Sequence, residues 1–255
     1  IQELVRKFEN PDVVAVCGDI KVRNRKNFLT KCQALEFIFG INIARRALET
    51  FGSISVVPGA LGAFRRGTLT EGGLYDKATL TEDFDTTLKV LKTGKVIQAS
   101  AYATAYSEAP ATIRDLYKQR VRWYRGNYQT VFKHRDAFTN PRFGTLHRLS
   151  FPFLLLNMFM VPFIGIVTLA STIIAIIEGG WLQVAYLSLI FLCLQFLVST
   201  LAVLIDDEDK SLILYAPFFV VGYKQLIDFW MIKALIDVLI RKNLRWTSAK
   251  RATHL

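Results

Sequence analysis

Two stretches of this chain, Phe151–Ile177 and Leu182–Ile205, contain no Lys, Arg, Asp or Glu. Each is longer than the roughly 20 apolar residues that a helix needs to cross a bilayer. A soluble core seldom holds an uncharged helix of that length, and two in succession more seldom still. Only Glu178, Gly179, Gly180 and Trp181 separate them, so the pattern predicts a membrane-crossing helical hairpin. Neither run is N-terminal, which excludes a signal peptide.

The rest of the chain has a different character. Up to about His147 it mixes charged and apolar residues as an α/β domain does, whereas apolar runs dominate from Phe151 to Ile240. The overall hydrophobic content of 52% therefore sums two unlike parts. The expected organisation is an α/β part over residues 1–110 and a basic amphipathic helix and linker over 111–150. A membrane module over 151–240 and a basic tail over 241–255 follow. Ile1 falls inside what reads as a helix, with no Met before it, so the chain is expected to be a fragment of a longer protein.

The net charge of +11 is concentrated where the two parts join. Between Ala111 and Ser150 there are nine Lys and Arg against Asp115 and Asp136. Basic residues directly before a crossing predict a cytoplasmic location for them and for the α/β part, in the cell membrane. Nucleic-acid binding is the other reading of a basic chain, but beside a membrane segment contact with lipid explains the charge better. Cys17, Cys32 and Cys193 are scattered and read as reduced core residues, neither a disulfide framework nor a metal site.

Within the first part, Val13–Cys17 and Ile20–Val22 read as short strands split by Gly18-Asp19. Phe28–Phe51 reads as a long, buried helix, and Ser53–Val57 as β-type sequence before Pro58-Gly59-Ala60-Leu61-Gly62-Ala63. After a Gly72-Gly73 loop a helix is expected from about Glu82 to Lys92, and a strand over Lys95–Tyr106. Helices alternating with strands predict an α/β sandwich.

Two clusters could carry chemistry. The first is Thr81-Glu82-Asp83, with Asp85 close behind. Thr79-x-x-Glu82 fits a capping box, and acidic residues suit a helix N-terminus; equally, one carboxylate could be a general base at the rim of a cleft. The second is Gln119-x-x-Arg122-Trp123. On a helix, Ile113, Tyr117, Val121, Tyr124, Tyr128 and Val131 form one apolar stripe, to lie on the membrane surface or the domain core. Gln119, Arg122 and Trp123 lie opposite, as i, i+3 and i+4 neighbours. Arg suits phosphate, whereas a basic amphipathic helix with Trp123 as interfacial anchor is the plainer alternative. That Trp123 sits away from the stripe argues against the anchor.

These two motifs in this order, followed by apolar crossings, resemble the processive family 2 glycosyltransferases, among them the cellulose, chitin, hyaluronan and poly-β-1,6-N-acetylglucosamine synthases. Thr81-Glu82-Asp83-Phe84-Asp85, Lys118–Trp123 and Arg245-Trp246-Thr247-Ser248 look most like the poly-N-acetylglucosamine synthases. The resemblance implies a partial GT-A domain followed by an α-helical transmembrane module, an inverting transfer, and Asp83 as the catalytic base. It implies acceptor contacts at Thr81, Glu82, Trp123, Gly59, Ala60 and Leu61, donor contacts at Gln119 and Arg122, and a possible gating loop at Trp246, Thr247 and Ser248. The implied partners are a UDP-sugar donor, expected to be UDP-N-acetylglucosamine, a growing polysaccharide or lipid acceptor, and membrane lipids, with no nucleic acid. The family's Asp-x-Asp, which holds Mg²⁺ or Mn²⁺, would lie before Ile1, so no metal ligand is expected here and this piece alone is expected to be inactive.

A third apolar segment, Ser211–Ile240, is broken by Pro217 and Gly222 and carries Lys224/Asp228 and Lys233/Asp237. A full crossing would put the basic tail outside, so a broken, re-entrant or interfacial passage is expected. A hyaluronan, chitin or glucan synthase, or a non-processive lipid glycosyltransferase, would use the same motifs. A membrane adaptor or transporter would leave their pairing unexplained.

Overall fold

The computed structural model describes residues 1–71 and 79–242. Its sheet has three strands in the order β2-β1-β3. The central β1 (Val13–Val22) runs antiparallel to β2 (Gly62–Phe64) and parallel to β3 (Val96–Ser107). β1 is buried along almost its whole length, which is why it reads as a continuous apolar run rather than an alternation.

Gly18-Asp19 does not split β1 in two; instead the register with β3 shifts there while the strand continues. Local bonds replace the interrupted ladder. Gly18 N–H donates to the Leu61 carbonyl at 3.1 Å, Arg45 donates to the Gly18 carbonyl at 2.8 Å, and Asn42 bonds both backbone groups of Ile20. A Cβ at Gly18 would collide with Leu61 and with the Ala103 carbonyl, so the crossing of three chain segments depends on its absence.

α1 (Gln2–Arg6) leads through a 3₁₀ turn into the sheet. The long helix expected over Phe28–Phe51 runs without a break to Thr50, with a π-helical stretch, Phe37–Ile43, between α2 (Phe28–Glu36) and α3 (Ala44–Thr50). It is also buried on one side only, with Phe28, Phe39 and Phe51 exposed. The wider π turn delivers Asn42, fully buried, to β1. Asn27 caps α2 reciprocally with Thr30.

Ser53–Val57 is not a strand. Val57 N–H donates to Thr87 Oγ1 at 2.9 Å, so a helix side chain takes the donor that a ladder would have used. β2 lies instead in the small residues after Pro58, followed by α4 (Arg66–Glu71). α5 (Glu82–Lys92) and β3 fall where the pattern put them.

α6 (Ile113–Lys133) is the longest helix of the α/β part, and α7 (Asp136–Thr139) follows it. From Leu146 the chain is helical for 32 residues to Ile177, including π-helical turns around α8 (Phe151–Leu155) and before α9 (Val161–Ile177). α10 (Trp181–Ile205) returns, 25 residues long. Both are long and apolar enough to cross a membrane, and their side chains face outward: Ile164, Val167, Leu187 and Leu189 are each more than half exposed. Cys193 is on this surface, not in a core as expected; Cys17 and Cys32 are buried, and all three are free thiols.

Both open ends of the hairpin are held by the α/β part. At one, Tyr128 of α6 donates to the Met158 carbonyl at 2.6 Å. At the other, Arg46 bridges Asp19 of β1 and Asp206, and Lys21 meets Glu208 at 3.1 Å. The third apolar segment contains α11 (Pro217–Val220) and α12 (Tyr223–Leu239), bent by 59° at the break before Gly222 and Tyr223. α12 buries Ile227, Trp230, Ala234 and Leu235, and Trp230 meets Tyr117 of α6 edge-on at 5.5 Å between ring centroids. Lys224–Asp228 and Lys233–Asp237 pair as their spacing predicts, and Arg125 of α6 also reaches Asp237.

Candidate active site

Thr81-Glu82-Asp83 lies at the start of α5, with Thr81 as the residue before the first helical turn. The expected capping box is not formed. Thr79 Oγ1 donates to the Thr81 carbonyl at 3.2 Å, which turns it away from the helix. Thr81 gives no side-chain cap either, because it is buried under α6. Glu82 is exposed and Asp83 half-buried, so the two carboxylates border open space while Phe84 and Asp85 point into the core.

Asp83 is tied to the small-residue turn. The Gly59 N–H donates to Asp83 Oδ2 at 3.0 Å, and Phe84 N–H donates to Oδ1 at 2.9 Å. Thr87, which receives Val57 N–H, donates in turn to the Asp83 carbonyl at 2.7 Å. These bonds dock Val57–Gly59 onto the first turn of α5. Gly59 and Ala60 are exposed beside Asp83, and Leu61 packs beneath against Val13 and Val16.

α6 closes the other side. Gly126 faces Thr81 so closely that an added Cβ would lie 2.7 Å from its Oγ1 and 2.8 Å from its backbone nitrogen. Gln129 accepts from Leu80 N–H at 3.2 Å, and Thr130 lies 3.4 Å from Thr81 between hydroxyl oxygens. One turn further, Lys133 and His134 reach the buried carboxylate of Asp85 at 2.8 and 2.9 Å. Burial alone would raise the pKa of Asp85, but hydrogen bonds from Lys133, Lys89 and His134 prevail and hold it below the ordinary carboxylate value. Asp85 is thus a clasp between helices.

This docking brings Arg122 into the field of Glu82 and Asp83. Burial pushes its guanidinium pKa down, and the two carboxylates offset part of that. Gln119 is half-buried, and its Oε1 has no partner among the described residues. The apolar stripe of α6 lies against protein: Val121, Tyr128 and Val131 are buried, Tyr117 and Tyr124 partly so, and only Ile113 at the helix start is exposed. Trp123 is also half-buried, packed beside Arg120 and a cluster containing Leu35, Ile38 and Val203. Asp83 and Gly59 are therefore in contact, with Arg122 and Trp123 on the helix that packs against Thr81 beside them. Trp246, Thr247 and Ser248 lie outside the described residues.

Three contributors went unread in the sequence: Gly126, and Arg120 beside Trp123 with Glu36, to which it donates at 2.7 Å. Gly126 left a signal, since glycine inside a helix costs about 1 kcal/mol relative to alanine and implies a close approach. Arg120 and Glu36 left none, because their partners are remote in the chain. Among the described residues no three His, Cys, Asp or Glu side chains are grouped to hold a metal ion. The described residues by themselves therefore do not make up a site for the divalent cation that the resemblance implies.

Residues 1–205 match the family described as glycosyl transferase family group 2. The chain is 25% identical over 238 residues to poly-beta-1,6-N-acetyl-D-glucosamine synthase of Staphylococcus epidermidis, covering 91% of this chain and 57% of that protein. The Staphylococcus aureus (strain COL) synthase is 28% identical over 137 residues, covering 53% and 33%. Among solved structures, the mannosyltransferase PcManGT of Pyrobaculum calidifontis, in complex with GDP-Man and Mn²⁺, superposes with a TM-score of 0.56 at 19% identity. That likeness covers 94% of this chain and 57% of that one, and it identifies a GT-A-like glycosyltransferase fold. The matches thus span 57% of the Staphylococcus epidermidis synthase and of the mannosyltransferase, and 33% of the Staphylococcus aureus synthase.

Proposed function

We propose that this chain, which belongs to glycosyl transferase family group 2, carries the acceptor side of a membrane glycosyltransferase that polymerises N-acetylglucosamine from UDP-N-acetylglucosamine. In this reading Asp83 takes the proton from the acceptor hydroxyl as that oxygen attacks the anomeric carbon of the donor sugar, with inversion. The nucleotide leaves with its pyrophosphate, and Arg122, with Gln119 beside it, binds that departing charge. Thr81, Glu82, Gly59, Ala60 and Leu61 shape the acceptor pocket, and Trp123 is the aromatic platform for the acceptor sugar. The Leu146–Ile177 and Trp181–Ile205 helices cross the cell membrane, with residues 1–110 cytoplasmic and the bent third segment beside the path of the product. Mg²⁺ or Mn²⁺ is the expected cofactor, held by residues other than these.

One observation carries the reading. The turn at Gly59 binds Asp83 by a hydrogen bond of 3.0 Å, and the helix bearing Arg122 packs through Gly126 against Thr81, two residues before Asp83. A mere helix-capping role would require neither. A membrane adaptor would have no use for a half-buried arginine on the helix packed against that turn.

The test is Asp83→Asn in membranes that carry the full-length protein, supplied with UDP-N-acetylglucosamine and read by released UDP. Asparagine keeps the size and one acceptor oxygen but not the base. Transfer should fall by about 10²-fold or more while UDP-sugar binding persists. Turnover within a few-fold of the parent would remove Asp83 from the chemistry.

A further inference from the structure

Arg120 lies within the motif stretch, yet the proposed reaction gives it no task. It is 3% exposed, and its Nη2 donates to Glu36 Oε2 at 2.7 Å. Its guanidinium carbon sits 4.7 Å from the ring centroid of Trp123 and 5.9 Å from that of Phe37. The Tyr223 hydroxyl donates to the same Glu36 oxygen at 2.5 Å. Three helices therefore meet at one carboxylate oxygen: α6 through Arg120, α2 through Glu36 at its last residue, and α12 through Tyr223 at its first. Tyr223 directly follows Gly222, whose φ of +102° marks the break in the third apolar segment.

Packing alone does not explain this arrangement. A buried ion pair is often no more stable than apolar residues of the same volume, because both charges lose their water. Arg120 Nε has no hydrogen-bond partner among the described residues, so this guanidinium is incompletely served. What the arrangement supplies is geometry: a flat cation, fixed by a carboxylate, lying against a tryptophan ring.

We infer that Arg120, fixed by Glu36 and Tyr223, is a positioning residue that sets the orientation of the Trp123 ring. Through Tyr223 it links that ring to the broken helix on the proposed product path. The inference rests on the reading of Trp123 as the acceptor platform. Movement of α12 at its Gly222 break would pull on Glu36, shift Arg120 and release the ring. Product passage and acceptor seating would then be coupled without contact between α12 and the sugar.

The experiment uses the full-length protein, and the Trp123 signal is the difference in fluorescence between each protein and the same protein carrying Trp123→Phe. Arg120→Lys keeps the charge for Glu36 but loses the flat surface. Quenching of Trp123 fluorescence by acrylamide should rise about twofold, and the KM for an N-acetylglucosamine oligosaccharide acceptor about fivefold, with the donor KM little changed. Tyr223→Phe, which leaves the Arg120–Glu36 pair in place, should move both in the same direction and less; it also decides the matter if Arg120→Lys does not fold. Unchanged quenching in a folded Arg120→Lys or Tyr223→Phe protein would overturn the inference. Failure of the underlying reading looks different: Trp123→Ala would leave the acceptor KM unaltered, whatever the quenching shows.

Discussion

Two helix crossings in this protein are built on a glycine, and the obstacle facing each glycine differs in kind. At Gly126, on the α6–α5 crossing, a Cβ would press on the Thr81 side chain at 2.7 Å and its backbone nitrogen at 2.8 Å. At Gly165, where α9 meets α12, the obstacle is the carboxylate of Asp228, the end of a side chain bound to Lys224. Backbone fixed at the start of a helix cannot step aside, whereas a carboxylate can rotate. The candidate active site thus rests on a contact of fixed dimensions, while the apolar helices meet through one that can adjust.

The largest effect is expected at the rigid contact. Gly126→Ala gains about 1 kcal/mol of helix propensity but meets overpacking of about 1–3 kcal/mol. The strain falls on Thr81 and hence on the Asp83 turn. Misplacement there should lower sugar transfer about tenfold or more, since small errors of alignment cost much in rate. UDP release and thermal unfolding measure the two parts, and parent-like transfer would show that the crossing does not govern the site.

A smaller change is expected at Gly165→Ala, within about 1 kcal/mol, because the propensity gain offsets much of the carboxylate's displacement. Adding Asp228→Ser should relieve what remains. Denaturation in detergent would measure both, and a loss as large as at Gly126 that serine does not relieve would abolish the distinction between the crossings.

The smallest effect concerns acid. Burial lowers the pKa of His134 below its ordinary 6.5, with Asp85 opposing and Lys92 and Lys133 assisting. A lowered folded pKa means that stability is fully present above pH 6.5 and declines below it, as the unfolded chain takes the proton first. Asp85, also lowered, adds its own loss only as pH falls through and below the ordinary 3.8. Between pH 6.5 and 5 the clasp beyond Gly126 should weaken by about 1 kcal/mol or less, and His134→Gln should flatten that part of the stability curve. An unaltered curve would mean that His134 does not titrate as argued.

Much of this was legible in the residues. α5 and β3 follow from local pattern, and the two apolar helices from length and absence of charge. The misreadings have a common form. Ser53–Val57 has strand composition, but Thr87, thirty residues on, takes the backbone donor of Val57. Thr79-x-x-Glu82 has the spacing of a capping box, but its hydroxyl turns to the Thr81 carbonyl beneath α6. Phe28–Phe51 has the apolar content of a regular, buried helix, but β1 draws in Asn42 through a π turn and leaves Phe28, Phe39 and Phe51 exposed. In each case a local preference worth about 1 kcal/mol yielded to a contact made elsewhere in the chain.

What the sequence by itself determined is the pair of helices able to cross a membrane and the order of the two motifs. Transfer to hydrocarbon adds up residue by residue along a segment, so it can be read without knowing any neighbour. Only the tertiary structure decided that Asp83 receives the Gly59 amide, that α6 lies within a methyl group of Thr81, and that Arg120 is held beneath Trp123 by helices on either side of it. Those contacts join positions 24, 45, 84 and 187 residues apart. A hydrogen bond or a close approach depends on distances that the fold as a whole sets, and no spacing along the chain encodes them.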